Sequence, residues 1–97
     1  MILKGKEKRS ARKAVALKYS PPEDVAPKIS ASGRGVVAEK IIEIARKKNV
    51  PIREDPELVD ILSMLDLDEA IPPQVYHVVA EILTFVYSLK GKWRERR

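Results

Sequence analysis

Residues 6–22 read KEKRSARKAVALKYSPP, and within them AVALKY, Ala14 to Tyr19, decides the fold class. The residues alternate, so Val15, Leu17 and Tyr19 share one face of an extended chain while Ala14, Ala16 and Lys18 share the other. This pattern predicts a strand. Three apolar side chains on one face require a core layer there, and the small alanines opposite leave room for a helix to lie close. Both faces of the sheet are therefore expected to be covered. Pro21 and Pro22 end the run, because neither can donate to a sheet ladder. On the N-terminal side the strand is preceded by bases, with no turn signal. Those bases are either a nucleic-acid-binding arm or the altered remains of a motif with another use.

Working toward the C-terminus, Pro27–Ser32 (PKISAS) alternates more weakly and predicts a second strand ended by Gly33 and Gly35. The period then becomes helical up to Asn49, with Val37, Ala38, Ile41, Ile42, Ile44 and Ala45 on the apolar side. Val50–Arg53 (VPIR) fits a short strand whose proline suits an edge. Asp55 then supplies an N-cap and Pro56 a first helical residue for a short helix carrying Leu58, Val59, Ile61, Leu62 and Leu65. After the acidic DLDEA and Pro72, a last helix is expected from about Pro73 to Leu89. The predicted fold is α/β in the order β-β-α-β-α-α. One domain of residues 14–89 carries a basic N-terminal arm (1–13) and a basic C-terminal tail (90–97). A chain of 97 residues, 44% hydrophobic, has enough apolar material for one such core.

The net charge of +5 is unevenly placed. Residues 1–13 hold six bases against one acid and residues 90–97 five against one, whereas the 14–89 body holds eight bases against twelve acids. A nucleic-acid-binding domain normally carries a basic face on its folded part, so this body argues for a different partner. There is no cysteine, which excludes disulfides and thiolate metal sites and fits a reducing compartment. The longest apolar stretch is interrupted by His77 and Glu81, so neither a spanning helix nor a signal peptide is expected. A soluble, cytoplasmic protein follows.

Candidate chemistry is sparse. Ser32-Gly33-Arg34-Gly35 lies between a strand and a helix, but a phosphate loop needs a lysine and a hydroxyl where Val36 and Val37 stand. A plain turn is the stronger reading. His77 is the only histidine and can pair with Glu81 one helical turn on, too few ligands for zinc. Trp93, among the C-terminal bases, is a single aromatic and a poor stacking platform. No catalytic residues, cofactor or metal are expected.

Taken together, AVALKY, the Ala26-Pro27 before KISAS, AEKIIEIA with KNVPI, EDPEL, and IPPQVY with VAEIL resemble the cytoplasmic C-terminal domain of the FlhB and YscU family. These proteins act as the substrate-specificity switch of flagellar and type III secretion export. The resemblance covers Ala14–Leu89 in unbroken order and implies a small mixed sheet flanked by helices. Family members carry Asn-Pro-Thr-His just before this strand and cut themselves between Asn and Pro. The matching positions here are Arg9, Ser10, Ala11 and Arg12, and the only asparagine of the chain is Asn49. The resemblance thus implies a non-cleaving, free-standing homologue that binds export substrates or export-gate proteins. Its implied partner-binding patch is Ala26, Pro27, Ala80 and Leu83. The alternative is a small nucleic-acid-binding domain working through its basic ends, for which removal of residues 1–12 and 91–97 should abolish binding and spare protein binding.

Overall fold

The computed structural model describes residues 1–5, 12–20 and 23–90, with the side chains of 85–90 excepted. The strand read from AVALKY is present as β2 (Lys13–Lys18), and it lies inside a four-stranded sheet. The other strands are β1 (Ile2–Lys4), β3 (Lys28–Arg34) and β4 (Ile52–Glu54), in the spatial order β3-β2-β1-β4. β1 and β3 both pair antiparallel with β2, and β4 pairs parallel with β1, so the sheet is mixed. Three helices complete the fold: α1 (Val36–Lys47), α2 (Pro56–Leu62) and α3 (Tyr76–Lys90), the last entered through a 3-10 turn at Pro73–Val75.

The observed order, β-β-β-α-β-α-α, corrects the expected one by an additional first strand. Ile2–Lys4 belong to the stretch expected to be a basic arm, yet they form an interior strand of the sheet. Only Ile2 and Leu3 are apolar there, too few to show a period. They point to opposite faces and both are buried. The strand is held by partners distant in sequence: the Ile2 amide donates to the Pro51 carbonyl (3.0 Å) and the Leu17 amide to the Met1 carbonyl (2.9 Å).

The two faces of β2 behave as their side chains require. Val15 and Leu17 join Leu3, Ile29, Leu58, Val59, Leu62, Ile71, Val75, Val79 and Ile82 in the main core, under α2 and α3. Ala14, fully buried, meets Ala38 and Ile42 of α1 on the other face. Close approach of α1 is carried furthest at Gly33, where an added Cβ would sit 2.7 Å from the Val37 Cβ, an atom that no rotamer change can move aside. Gly33→Ala is therefore expected to cost about 1–3 kcal/mol by forcing α1 away from the sheet. Denaturant unfolding checks this.

The helix ends follow local chemistry. α1 starts after Gly35, whose φ of 62° suits a residue without Cβ. It stops at Asn49, a type that tolerates the left-handed conformation found there (φ 58°). Asp55 caps α2 as expected, its Oδ1 accepting from the Leu58 amide at 3.1 Å, with Pro56 in the first position. β4 lies one to two residues later than VPIR.

Candidate functional site

The resemblance groups Ala26 and Pro27 with Ala80 and Leu83, residues from two distant stretches of chain. The structure brings the first three together. Segment 68–71 runs along the start of β3: Asp68 N–H donates to the Ile29 carbonyl (2.7 Å), Ile29 N–H to Glu69 (3.0 Å), and Ile71 N–H to Pro27 (3.0 Å). Docked in this way, the segment delivers Pro72, Pro73 and the first turns of α3 beside Ala26 and Pro27. The result is an open groove of about 180 Å³ lined by Tyr19, Val25, Ala26, Pro27, Ile71, Tyr76 and Ala80. Its walls are mostly apolar, with two tyrosines among them.

Exposure within the groove is graded. Ala26 is buried and Pro27 half-buried, forming a floor, while Ala80 is exposed on α3. Val25 is 92% exposed and Tyr76 43%, so both rims present apolar surface to solvent. Leu83 lies elsewhere. It is half-buried, packs against the main core, and does not line the groove. Ala80 and Leu83 are three residues apart on one helix, but the groove ends near Ala80.

No sequence pattern marks Tyr19, Val25, Ile71 or Tyr76 as groove residues. Alternation assigns Tyr19 to the core face of β2, and the strand ends before it, at Lys18. Asp24, which no sequence pattern marks, holds the Val25-Ala26-Pro27 corner in place. Its Oδ2 accepts from the Ser20 amide (3.0 Å), its own amide donates to the Ser20 carbonyl (3.1 Å), and Oδ1 lies 3.4 Å from Lys28 Nζ. Chiefly through the Ser20 hydrogen bond, and also through Lys28, its carboxyl is held below the ordinary aspartate value, against an opposing effect of burial. A folded-state pKa lowered in this way contributes stability that is present at neutral pH and lost as pH falls through it. Asp24→Asn is expected to flatten the acid limb of the stability–pH profile below about pH 4, which thermal unfolding across pH 2–7 measures.

Of the positions matching the cleavage motif, Arg9, Ser10 and Ala11 lie outside the described residues. Arg12 is anchored: its carbonyl accepts from the Gly35 amide (2.8 Å) and its Nη1 is 3.2 Å from Glu39 Oε2 of α1. The neighbouring Lys13 Nζ reaches Asp60 Oδ1 of α2 at 2.8 Å. The two consecutive bases are thereby tied to helices on opposite faces of the sheet.

Elsewhere, the Ser32–Gly35 stretch expected to be a turn is mostly strand: β3 continues through Gly33 to Arg34, and Gly35 alone turns the chain into α1. His77 and Glu81 form an exposed pair, Nε2 to Oε2 3.1 Å. Among the described residues, no group of three or more His, Cys, Asp or Glu is placed to hold a metal ion, and no helix is long and apolar enough to cross a membrane. Trp93 and the bases of residues 91–97 lie outside the described residues.

The same overall fold of sheet and helices occurs in known proteins. The crystal structure of the cytoplasmic domain of FlhB from Shewanella putrefaciens superposes with a TM-score of 0.79 at 30% identity, over 97% of this chain and 75% of that one. In sequence, the uncharacterized protein YlqH of Bacillus subtilis is 48% identical over 92 residues, covering 95% of this chain and 99% of that protein. The flagellar biosynthetic protein FlhB of Aquifex aeolicus is 41% identical over 80 residues. Those residues make up 81% of this chain and 23% of that protein, so the chain spans about a quarter of the FlhB it matches. The family model described as FlhB HrpN YscU SpaS matches residues 11–86. With most of its length covered by that model and its fold shared with the FlhB cytoplasmic domain, the chain belongs to the FlhB/YscU family of flagellar and type III export proteins.

Proposed function

We propose that the chain is a cytoplasmic, non-cleaving protein-binding module of the export apparatus, and that its groove receives an apolar segment of an export substrate or of an export-gate protein. The observation that carries this reading is the groove itself. Ala26, Pro27 and Ala80, the residues matched by resemblance to the family's contact patch, converge there with two tyrosines at the margin. A concave apolar site with small residues at its floor accepts a protruding side chain, and the surrounding aromatic surface excludes water around it.

The absence of self-cleavage follows from chemistry. The family reaction needs an asparagine side chain that closes on its own carbonyl, and arginine at position 9 has no carboxamide. Asn49, the sole asparagine, precedes Val50 instead of a proline. The purified chain is expected to remain a single species of full mass through prolonged incubation at neutral and mildly alkaline pH. Intact-mass spectrometry checks this, and two fragments meeting between residues 9 and 10 would overturn it.

The binding reading is tested by titrating the chain with flagellar rod and hook proteins and with the cytoplasmic domains of gate components. Saturable binding with little dependence on ionic strength is expected for an apolar groove. Binding that collapses between low and moderate salt would instead place the contact on the basic ends.

A further inference from the structure

Two exposed apolar features lie apart from that groove, on opposite faces of the sheet. The first is a cleft of about 180 Å³ between α1 and the sheet, lined by Ile2, Ala16, Ala31, Ile41, Ile44 and Val50, among others. Its floor is one cross-strand row, Ile2 paired with Ala16 and Ala16 with Ala31, in which the two alanines leave room above the sheet. Val37 and Ile44 are each 52% exposed on the same side of α1. The helix thus carries a second apolar stripe in addition to the buried Ala38, Ile42 and Ala45. The rim is basic. Lys40, Lys47 and Lys48 lie three or four residues from Ile44, and Lys18 lies two residues beyond Ala16 on the same sheet face; all four are exposed.

The second feature is a protrusion at the end of α2. Ile61, Met64 and Leu67 are 42%, 80% and 62% exposed. Residues 56–70, which contain them, hold five acids and no base. Asp60 is engaged by Lys13, and Glu69 accepts from the Asp66 amide, but Glu57, Asp66 and Asp68 face solvent.

The basic rim of an apolar cleft and the acidic surroundings of an apolar protrusion are complementary in charge. They cannot meet within one chain, because α2 packs on the Leu3 and Val15 face of the sheet and α1 on the Ala14 face. We infer that the cleft receives the Ile61–Met64–Leu67 protrusion of a second copy of this chain. The contact is head-to-tail, so each bound copy still offers one free cleft and one free protrusion, and assembly extends to short oligomers. An anionic membrane surface fits less well, since it would answer the basic rim but leave the acidic Ile61–Met64–Leu67 patch without a counterpart, whereas a second copy answers both. The contact is small, and the association is correspondingly weak.

Sedimentation velocity of the full chain from micromolar to millimolar concentration, at low and high salt, tests the inference. The sedimentation coefficient is expected to rise with concentration and to rise less in high salt. Met64→Asp and Ile44→Asp are each expected to lower the association constant by at least about tenfold. Mixing the two variants should give a one-to-one dimer that grows no further, since one keeps the cleft and the other the protrusion. Both positions are exposed, and circular dichroism checks that each variant folds. A chain that stays monomeric throughout, self-association that Met64→Asp leaves unchanged, or a mixture that yields no heterodimer would overturn the inference.

Discussion

Truncating Leu3 to alanine is expected to remove about 2–5 kcal/mol of folding stability, the usual cost of deleting a fully buried aliphatic side chain. Leu3 is 0% exposed and belongs to the main core. Its strand, β1, joins the β2–β3 hairpin to β4. A cavity there loosens contact with both α2 and β2, and β2 cannot shift to close it without breaking its ladder with β1. A domain of this size holds about 5–15 kcal/mol in total, so the melting temperature should fall by about 10 °C or more. Deleting residues 1–12 should do worse, by removing the strand altogether and leaving β4 unpaired. A solvated arm would tolerate both changes. The tail-deletion comparison that separates protein from nucleic-acid binding must therefore spare Met1–Gly5 and remove only residues of the 91–97 tail, which follow the last described helix residue.

The second large effect is on binding. Ala80→Asp sets a carboxylate on the groove wall, where an apolar segment would have to bury against it or leave. Desolvating that charge without a partner is costly, and a loss of at least about 1.4 kcal/mol, or tenfold in affinity, is expected. Ala80 is exposed, so the change in stability should stay near 0.5 kcal/mol, about the helix-propensity difference between the two residues. Leu83→Asp is the poorer probe. Leu83 is half-buried against the main core, so its loss of binding would be inseparable from its loss of fold.

How much of this was legible in the sequence depended on how local each cause is. AVALKY identified itself because Val15 and Leu17 alternate with alanines, and α1 because its apolar period spans twelve residues. The Asp55-Pro56 start of α2 is a purely local signal and was recovered to the residue. β1 was hidden because two apolar residues show no period, and what makes it a strand is a set of hydrogen bonds to Lys13–Leu17 and Pro51–Asp55, far along the chain. The site divides in the same way. Ala26, Pro27 and Ala80 were reached through resemblance, and their meeting depends on segment 68–71 docking along β3. Tyr19, Val25, Ile71 and Tyr76 become groove residues only through that docking, which no local pattern encodes.

The proposed function joins two claims, a groove that binds an export protein and a chain that does not cut itself. Isothermal titration of rod, hook and gate proteins into the wild-type chain and into Ala80→Asp, with both shown to be folded, tests the first most directly. Saturable binding of at least one of them, weakened at least about tenfold by Ala80→Asp, is the expected result. Wild-type chain that binds none of them, or binding that Ala80→Asp leaves unchanged, would contradict it.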